Sequence, residues 1–186
     1  REMIQKNPDQ YILVTDVGQH QMWASLSITV DSSFQWLTSG GAGTMGFALP
    51  TAMGAAFAHP DKTILCITGD GGIQMNIQEL GTIAEHNLNI KVCILNNSFL
   101  GMVRQWQELF YANNYSHVAI TSPDYKKLAE AYGIPGETFT SLKDLSRQAK
   151  YIMAKGPVVL DYQVEQEDNV FPMVPGGKTL GETLTD

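Results

Sequence analysis

Lys62-Thr63-Ile64-Leu65-Cys66-Ile67-Thr68-Gly69-Asp70-Gly71-Gly72 is the stretch whose reading decides the fold. A short apolar run without polar alternation predicts a strand buried on both faces, as in a parallel sheet. The run ends among glycines, and residues 73–86 then carry Ile77, Leu80, Ile83 and Ala84 at helical spacing. The next apolar run, Ile90 to Leu95, ends at Asn96-Asn97. Upstream, Tyr11 to Thr15 ends at Asp16-Val17-Gly18, and downstream Pro157 to Val164 makes a fourth run. Helices are expected over 47–58, over 123–132 with Ser122 as cap and Gly133 as stop, and over 142–154. Strands alternating with helices predict an α/β three-layer sandwich, its sheet mainly parallel and helices on both faces. Residues 1–186 read as one domain, with 171–186 as an irregular tail carrying Pro172, Pro175, Gly176 and Gly177.

Composition narrows the function. The 186 residues hold 12 Lys plus Arg against 19 Asp plus Glu, a formal charge of −7. Such a surface is unsuited to gripping nucleic-acid phosphates. At 44% hydrophobic residues the chain can fill a core. No apolar run approaches the ~18–20 residues of a membrane span, and residues 1–6 lack a signal peptide's apolar segment. Cys66 and Cys93 sit inside apolar runs and read as buried free thiols of a cytoplasmic protein. The chain starts without an initiator Met, in what reads as the end of a helix, and is expected to be a piece of something longer.

In open parallel sheets, ligands bind beyond the carboxyl ends of the strands. That rule selects Val17-Gly18-Gln19-His20, Gly69-Asp70-Gly71-Gly72 and Asn96-Asn97. An Asp between glycines is commonly just a turn or a helix cap. A dinucleotide fingerprint fits poorly, because it needs three spaced glycines and an acid ending the next strand. The distance of 27 positions from Asp70 to Asn97 spans one helix and one strand, returning the chain to the same edge. A carboxylate and an amide oxygen meeting there are hard ligands for Mg²⁺, which completes its shell with water and substrate phosphates. A diphosphate on the glycine backbone, bridged by that metal, is the physical reading.

Gly-Asp-Gly followed at this spacing by Asn-Asn resembles the cofactor signature of thiamine diphosphate enzymes. The strings Asp16-Val17-Gly18-Gln19-His20-Gln21-Met22-Trp23, Trp36 to Phe47 and Asn96 to Gln107 are similar to the large subunit of acetolactate synthase (acetohydroxyacid synthase). The likeness runs from Tyr11 to Gly177, nearly the whole chain, and corresponds to that subunit's C-terminal third. The cofactor half of another thiamine diphosphate decarboxylase or pyruvate oxidase would look alike, but Gln19-His20-Gln21-Met22-Trp23 and Gln105-Trp106-Gln107 favour the synthase. A non-catalytic phosphate-binding or dimerisation module and a flavodoxin-like nucleotide binder are the remaining alternatives.

The resemblance implies roles for individual residues. Asp70, the Asn97 side-chain oxygen and the Phe99 backbone carbonyl would ligate Mg²⁺. Gly71 and Gly72 would offer N–H groups to the diphosphate; the family often has Ser at the second position. Gln19 and His20 would hydrogen-bond the diphosphate, with Val17, Gly18 and Gly69 beside them. The Gly43 carbonyl would accept from the aminopyrimidine, and Met45 would wedge beneath the cofactor. From spacing alone Met45 is a core filler. Leu100, Gly101, Met102 and Val103 would line the same pocket. Trp106 would contact the second 2-keto acid, although a Trp in such a stretch is more often core packing. His59, His86 and His117 are too dispersed to form a ligand set.

By the same resemblance the parent enzyme condenses pyruvate with pyruvate or 2-ketobutyrate, losing CO₂, in branched-chain amino-acid synthesis. It would act as a homodimer or larger, with an attached small regulatory subunit among its expected partners. The carboxylate that activates the aminopyrimidine belongs to the N-terminal domain of a partner subunit. FAD belongs to the full-length enzyme's middle domain. The isolated chain is therefore expected to bind cofactor weakly and to leave pyruvate unconverted.

Overall fold

The computed structural model describes residues 4, 6–29 and 35–185. The expected helix end over residues 1–6 lies mostly outside the described residues. Strands β1 (Tyr11–Thr15), β2 (Trp36–Thr38), β3 (Thr63–Gly69), β4 (Ile90–Asn96), β5 (Gly136–Phe139) and β6 (Val158–Gln163) form one sheet in the order β2-β1-β3-β4-β6-β5. Every pair is parallel. The helices are α1 (Gln19–Ser27), α2 (Ala48–Ala58), α3 (Asp70–Ile73), α4 (Leu80–Glu85), α5 (Gly101–Phe110), α6 (Tyr125–Ala131) and α7 (Gln148–Met153).

Alternation along the strands explains the layers. Ile12, Val14, Ile64, Cys66, Val92, Ile94 and Val159 point to one side, where they pack with Ala48, Ala52, Leu80, Ile83 and Ala129 of α2, α4 and α6. Leu13 and Leu65 point to the other face, as do Cys93, Val158 and Leu160, which meet Tyr151 and Ile152 of α7. The sheet is thus apolar on both sides, which is why its strands read as unbroken apolar runs. Both cysteines are free and buried, and burial raises both thiols, Cys93 to about 12.

Three expected elements differ. The helix expected over 73–86 breaks into α3, a 3₁₀ turn at Ile77–Glu79, and α4. At the break, Asn76 donates from Nδ2 to the Gly46 carbonyl at 2.7 Å and leaves helical geometry. A side chain bonded to distant backbone competes with helix continuation. Residues 142–154 divide into a 3₁₀ segment, Leu142–Arg147, followed by α7. The helix expected from Ser122 begins at Tyr125, and its cap is Asp124, which accepts from Lys127 N–H at 3.1 Å. Strands β2 and β5 had no counterpart among the expected runs; both are short, edge-placed and partly polar. The tail carries a one-pair bridge, Met173 to Leu184, and a 3₁₀ turn at Leu180–Glu182.

Candidate functional site

From β1 the chain moves to the edge strand β2, then returns to the opposite side of β1 as β3. Connections leaving neighbouring strands for opposite faces open a crevice at their carboxyl ends. There lies a cleft with about 770 Å³ of open volume. Val17, Gly18, Gln19, His20, Gly43, Met45, Gly69, Asp70, Gly71, Gly72, Asn97, Phe99, Leu100, Gly101, Met102 and Val103 all line it. Trp23, Leu95 and Val164 line it too, although no pocket role was expected of them. The chain brings these residues together from three strand ends and two glycine turns.

Asp70 begins α3 and is 1% exposed. Its Oδ2 accepts from Ser98 N–H at 2.9 Å and from Ser122 Oγ–H at 3.1 Å. Tyr125 donates its hydroxyl to the Asp70 carbonyl at 2.8 Å. Burial raises the Asp70 carboxyl above its ordinary value, and the bonds from Ser122 and Ser98 counteract this. Ser122, expected as a cap, instead orients this carboxylate.

Asn97 donates from Nδ2 to Gln19 Oε1 at 3.4 Å, and its Oδ1 accepts from Phe99 N–H at 3.1 Å. The amide oxygen is thereby turned toward the loop that follows. Ser98 holds a left-handed φ of 61°, reversing the chain so that Phe99 bridges antiparallel to Ala119. The bridge bonds run from Leu100 N–H to Val118 and from Ile120 N–H to Ser98, so Phe99 directs its own N–H and carbonyl away from Ala119. One carboxylate, one amide oxygen and one backbone carbonyl match a Mg²⁺ site that leaves positions for phosphate oxygens. Among the described residues no three His, Cys, Asp or Glu side chains gather around a metal position.

The anion side of the cleft is backbone and imidazole. His20 is 7% exposed, and its Nε2 is buried without a hydrogen-bond partner. Desolvation holds its pKa down at about 4, so the ring is neutral at pH 7. A Cβ on Gly69 would sit 3.0 Å from His20 Nδ1, and one on Gly71 would sit 2.7 Å from Leu100 Cδ2. Glycine at these points leaves the cradle open to a ligand. A Cβ on Gly72 would come within 3.0 Å of Asp16 Cγ, so the carboxylate of Asp16 crowds the room a serine would use.

Gln19 lines the cleft, yet its Nε2 donates to Gln105 Oε1 at 3.0 Å and to the Asp168 carbonyl at 2.9 Å. In this arrangement its free influence on the cleft is through Asn97. Trp106 stands outside the main cleft. It borders an adjoining recess with Met102, Val103 and Tyr111, and its ring lies 4.9 Å from that of Phe110.

Asp16 received no role from the sequence, but it organises the site. Its Oδ1 accepts from Val17 and Gly46 N–H, at 2.7 and 2.9 Å, and its Oδ2 from Ala48 N–H at 3.2 Å. The start of α2 is capped from across the sheet in this way, and the turn bearing Gly43 and Met45 is fastened to β1. The remaining histidines lie elsewhere: His86 packs edge-on against Phe57, and His117 contacts Ser116.

Residues 16–162 match the family described as thiamine pyrophosphate enzyme, C-terminal TPP binding domain. An acetolactate synthase large subunit of Porphyra purpurea is 49% identical over 173 residues, covering 91% of this chain and 29% of the relative. The acetolactate synthase of Arthrospira platensis is 45% identical, covering 95% of this chain and 31% of its own length. Acetolactate synthase isozyme 2 large subunit of Escherichia coli K12 is 43% identical, covering 99% and 34%. The chain therefore spans about a third of the length of these relatives.

Proposed function

The chain belongs to the thiamine pyrophosphate enzymes through their C-terminal TPP binding domain, and from that membership we propose that it is the cofactor-holding third of an acetolactate synthase large subunit. The observation that carries the reading is the convergence of Asp70, Asn97, His20 and the Gly69–Gly72 backbone on one cleft. Thiamine diphosphate supplies the nucleophilic thiazolium carbon needed to decarboxylate and condense 2-keto acids. Asp70, the Asn97 oxygen and the Phe99 carbonyl would hold Mg²⁺ for the diphosphate. The N–H groups of Gly71 and Gly72 and the neutral ring of His20 receive phosphate oxygens. Met45 would support the cofactor from beneath, the Gly43 carbonyl would accept from its pyrimidine, and Trp106 would meet the second keto acid.

In this reading the parent protein joins pyruvate to pyruvate or 2-ketobutyrate with release of CO₂, in the cytoplasm, for branched-chain amino-acid synthesis. It works as a homodimer or larger, with FAD in the full-length chain and an attached regulatory subunit. Asp70 is the sole carboxylate among the described residues lining the cleft. The family resemblance assigns the acid that activates the pyrimidine to a partner's N-terminal domain, and a cleft whose one carboxylate is given to the metal agrees with it; on this reading these 186 residues alone do not turn over pyruvate. Calorimetric titration of thiamine diphosphate tests the proposal: binding is expected with MgCl₂ and lost with EDTA. Equal binding without metal overturns the site assignment, and CO₂ release from pyruvate by the isolated chain overturns the dependence on a partner.

A further inference from the structure

The two adjacent asparagines serve different recesses. Asn97 lines the diphosphate cleft, whereas Asn96 lines a second, polar recess at the carboxyl ends of β4 and β6. Asp161 of β6 lies there, 4% exposed beside Asn96 at 5%. Its Oδ1 accepts from Asn96 Nδ2 at 3.1 Å and its Oδ2 from Gln163 Nε2 at 2.8 Å. Both donors are neutral. The charge bearing on Asp161 is that of Asp124, also negative, and Asp124 is itself paired with Lys127 Nζ at 3.0 Å. Asn96 Oδ1 is buried with no hydrogen-bond partner.

A buried carboxylate is tolerated when a proton or a cation sits beside it. This recess offers a carboxylate, an orphaned amide oxygen and the Thr138 hydroxyl, all hard oxygen ligands. Their net charge is a single negative one, because the second carboxylate already has its lysine. We propose that the recess binds a monovalent cation of the potassium class, held between Asp161, Asn96 Oδ1 and Thr138. A divalent ion would leave an unbalanced positive charge in the same place. The proposal is independent of the cofactor reading, although Ser98 and Ser122 border this recess and also hold Asp70 Oδ2.

Equilibrium dialysis of the purified protein against ⁸⁶RbCl, in tetramethylammonium buffer at pH 7 with MgCl₂ present, measures the site directly. Saturable binding of one ion per chain, competed by K⁺ and weakened about ten-fold or more by Asp161→Asn and by Thr138→Val, is the expected result. KCl should also raise Tm above that in equimolar tetramethylammonium chloride, a gain absent from D161N. Absence of saturable binding overturns the proposal, as does binding unchanged in both variants. A Tm indifferent to the cation, together with a D161N protein more stable than the parent, assigns the neutralising role to a proton instead. Thr138→Val keeps the carboxylate and carries the test if D161N does not fold.

Discussion

His20 titrates in the direction that burial dictates. Its pKa is about 4 in the fold, against 6.5 for an ordinary histidine. Above pH 6.5 both folded and unfolded chains hold a neutral ring, and nothing is lost. As pH falls toward 4, the unfolded chain takes a proton that the folded chain refuses, so stability drops by about 3 kcal/mol. Urea unfolding followed across that window should show the loss, and His20→Gln should flatten it. Gly71 makes a different point. An alanine there meets the ends of flexible side chains, Leu100 Cδ2 at 2.7 Å, Ile120 Cδ1 at 3.3 Å and Met45 Cε at 3.6 Å, which can turn aside, so Gly71→Ala should fold normally. Its methyl group nonetheless occupies the phosphate approach, and calorimetry should find affinity for Mg-thiamine diphosphate about ten-fold lower or worse. Asp70 and Asn97 were readable because their spacing is one crossover. Asp16 and Ser122 were not, because their partners lie 30, 32 and 52 positions away in the chain.

Helix α5 shows how an element can be half legible. Its apolar stripe of Val103, Trp106 and Phe110 reads in the sequence as core packing, yet the structure leaves it exposed. Its buried side, however, depends on the tail. Gln105 is 0% exposed and accepts from Val170 N–H at 2.9 Å while donating to the Val170 carbonyl at 3.0 Å. Arg104 and Glu108 add contacts to Glu167 and Asn169. Gln105→Leu would strand these backbone groups and the Gln19 amide, costing about 2 kcal/mol or more in urea unfolding. Limited proteolysis should then cut faster beyond residue 163. Lys91 plays a comparable part for α7: 0% exposed, it donates to the Ala154 and Gly156 carbonyls at 2.6 and 2.5 Å, just past the helix end. Lys91→Met should cost about 1–3 kcal/mol by leaving those acceptors unmet, read as a lower urea midpoint. In both elements the apolar pattern was visible and the polar anchors were not, since an anchor has no periodicity.

Across the whole molecule, protection should follow strand order. Strands β1, β3, β4 and β6 are paired on both sides, whereas β2 and β5 are edges. Hydrogen-exchange mass spectrometry should find the four inner strands slowest and the two edges fastest; an inner strand exchanging with the edges would contradict this order. The sequence by itself determined the layered α/β class, the glycine turn after β3 and the arrival of Asp70 and Asn97 at one cleft. Those follow from local hydrophobic runs and one crossover length, which are properties of neighbouring residues. Only the tertiary structure decided that β6 enters between β4 and β5, that Ser122 orients Asp70, and that Asn96 and Asn97 face separate recesses. The physical reason is that strand order and buried polar bonds join segments far apart in the chain, and such pairings exist only once the sheet has closed.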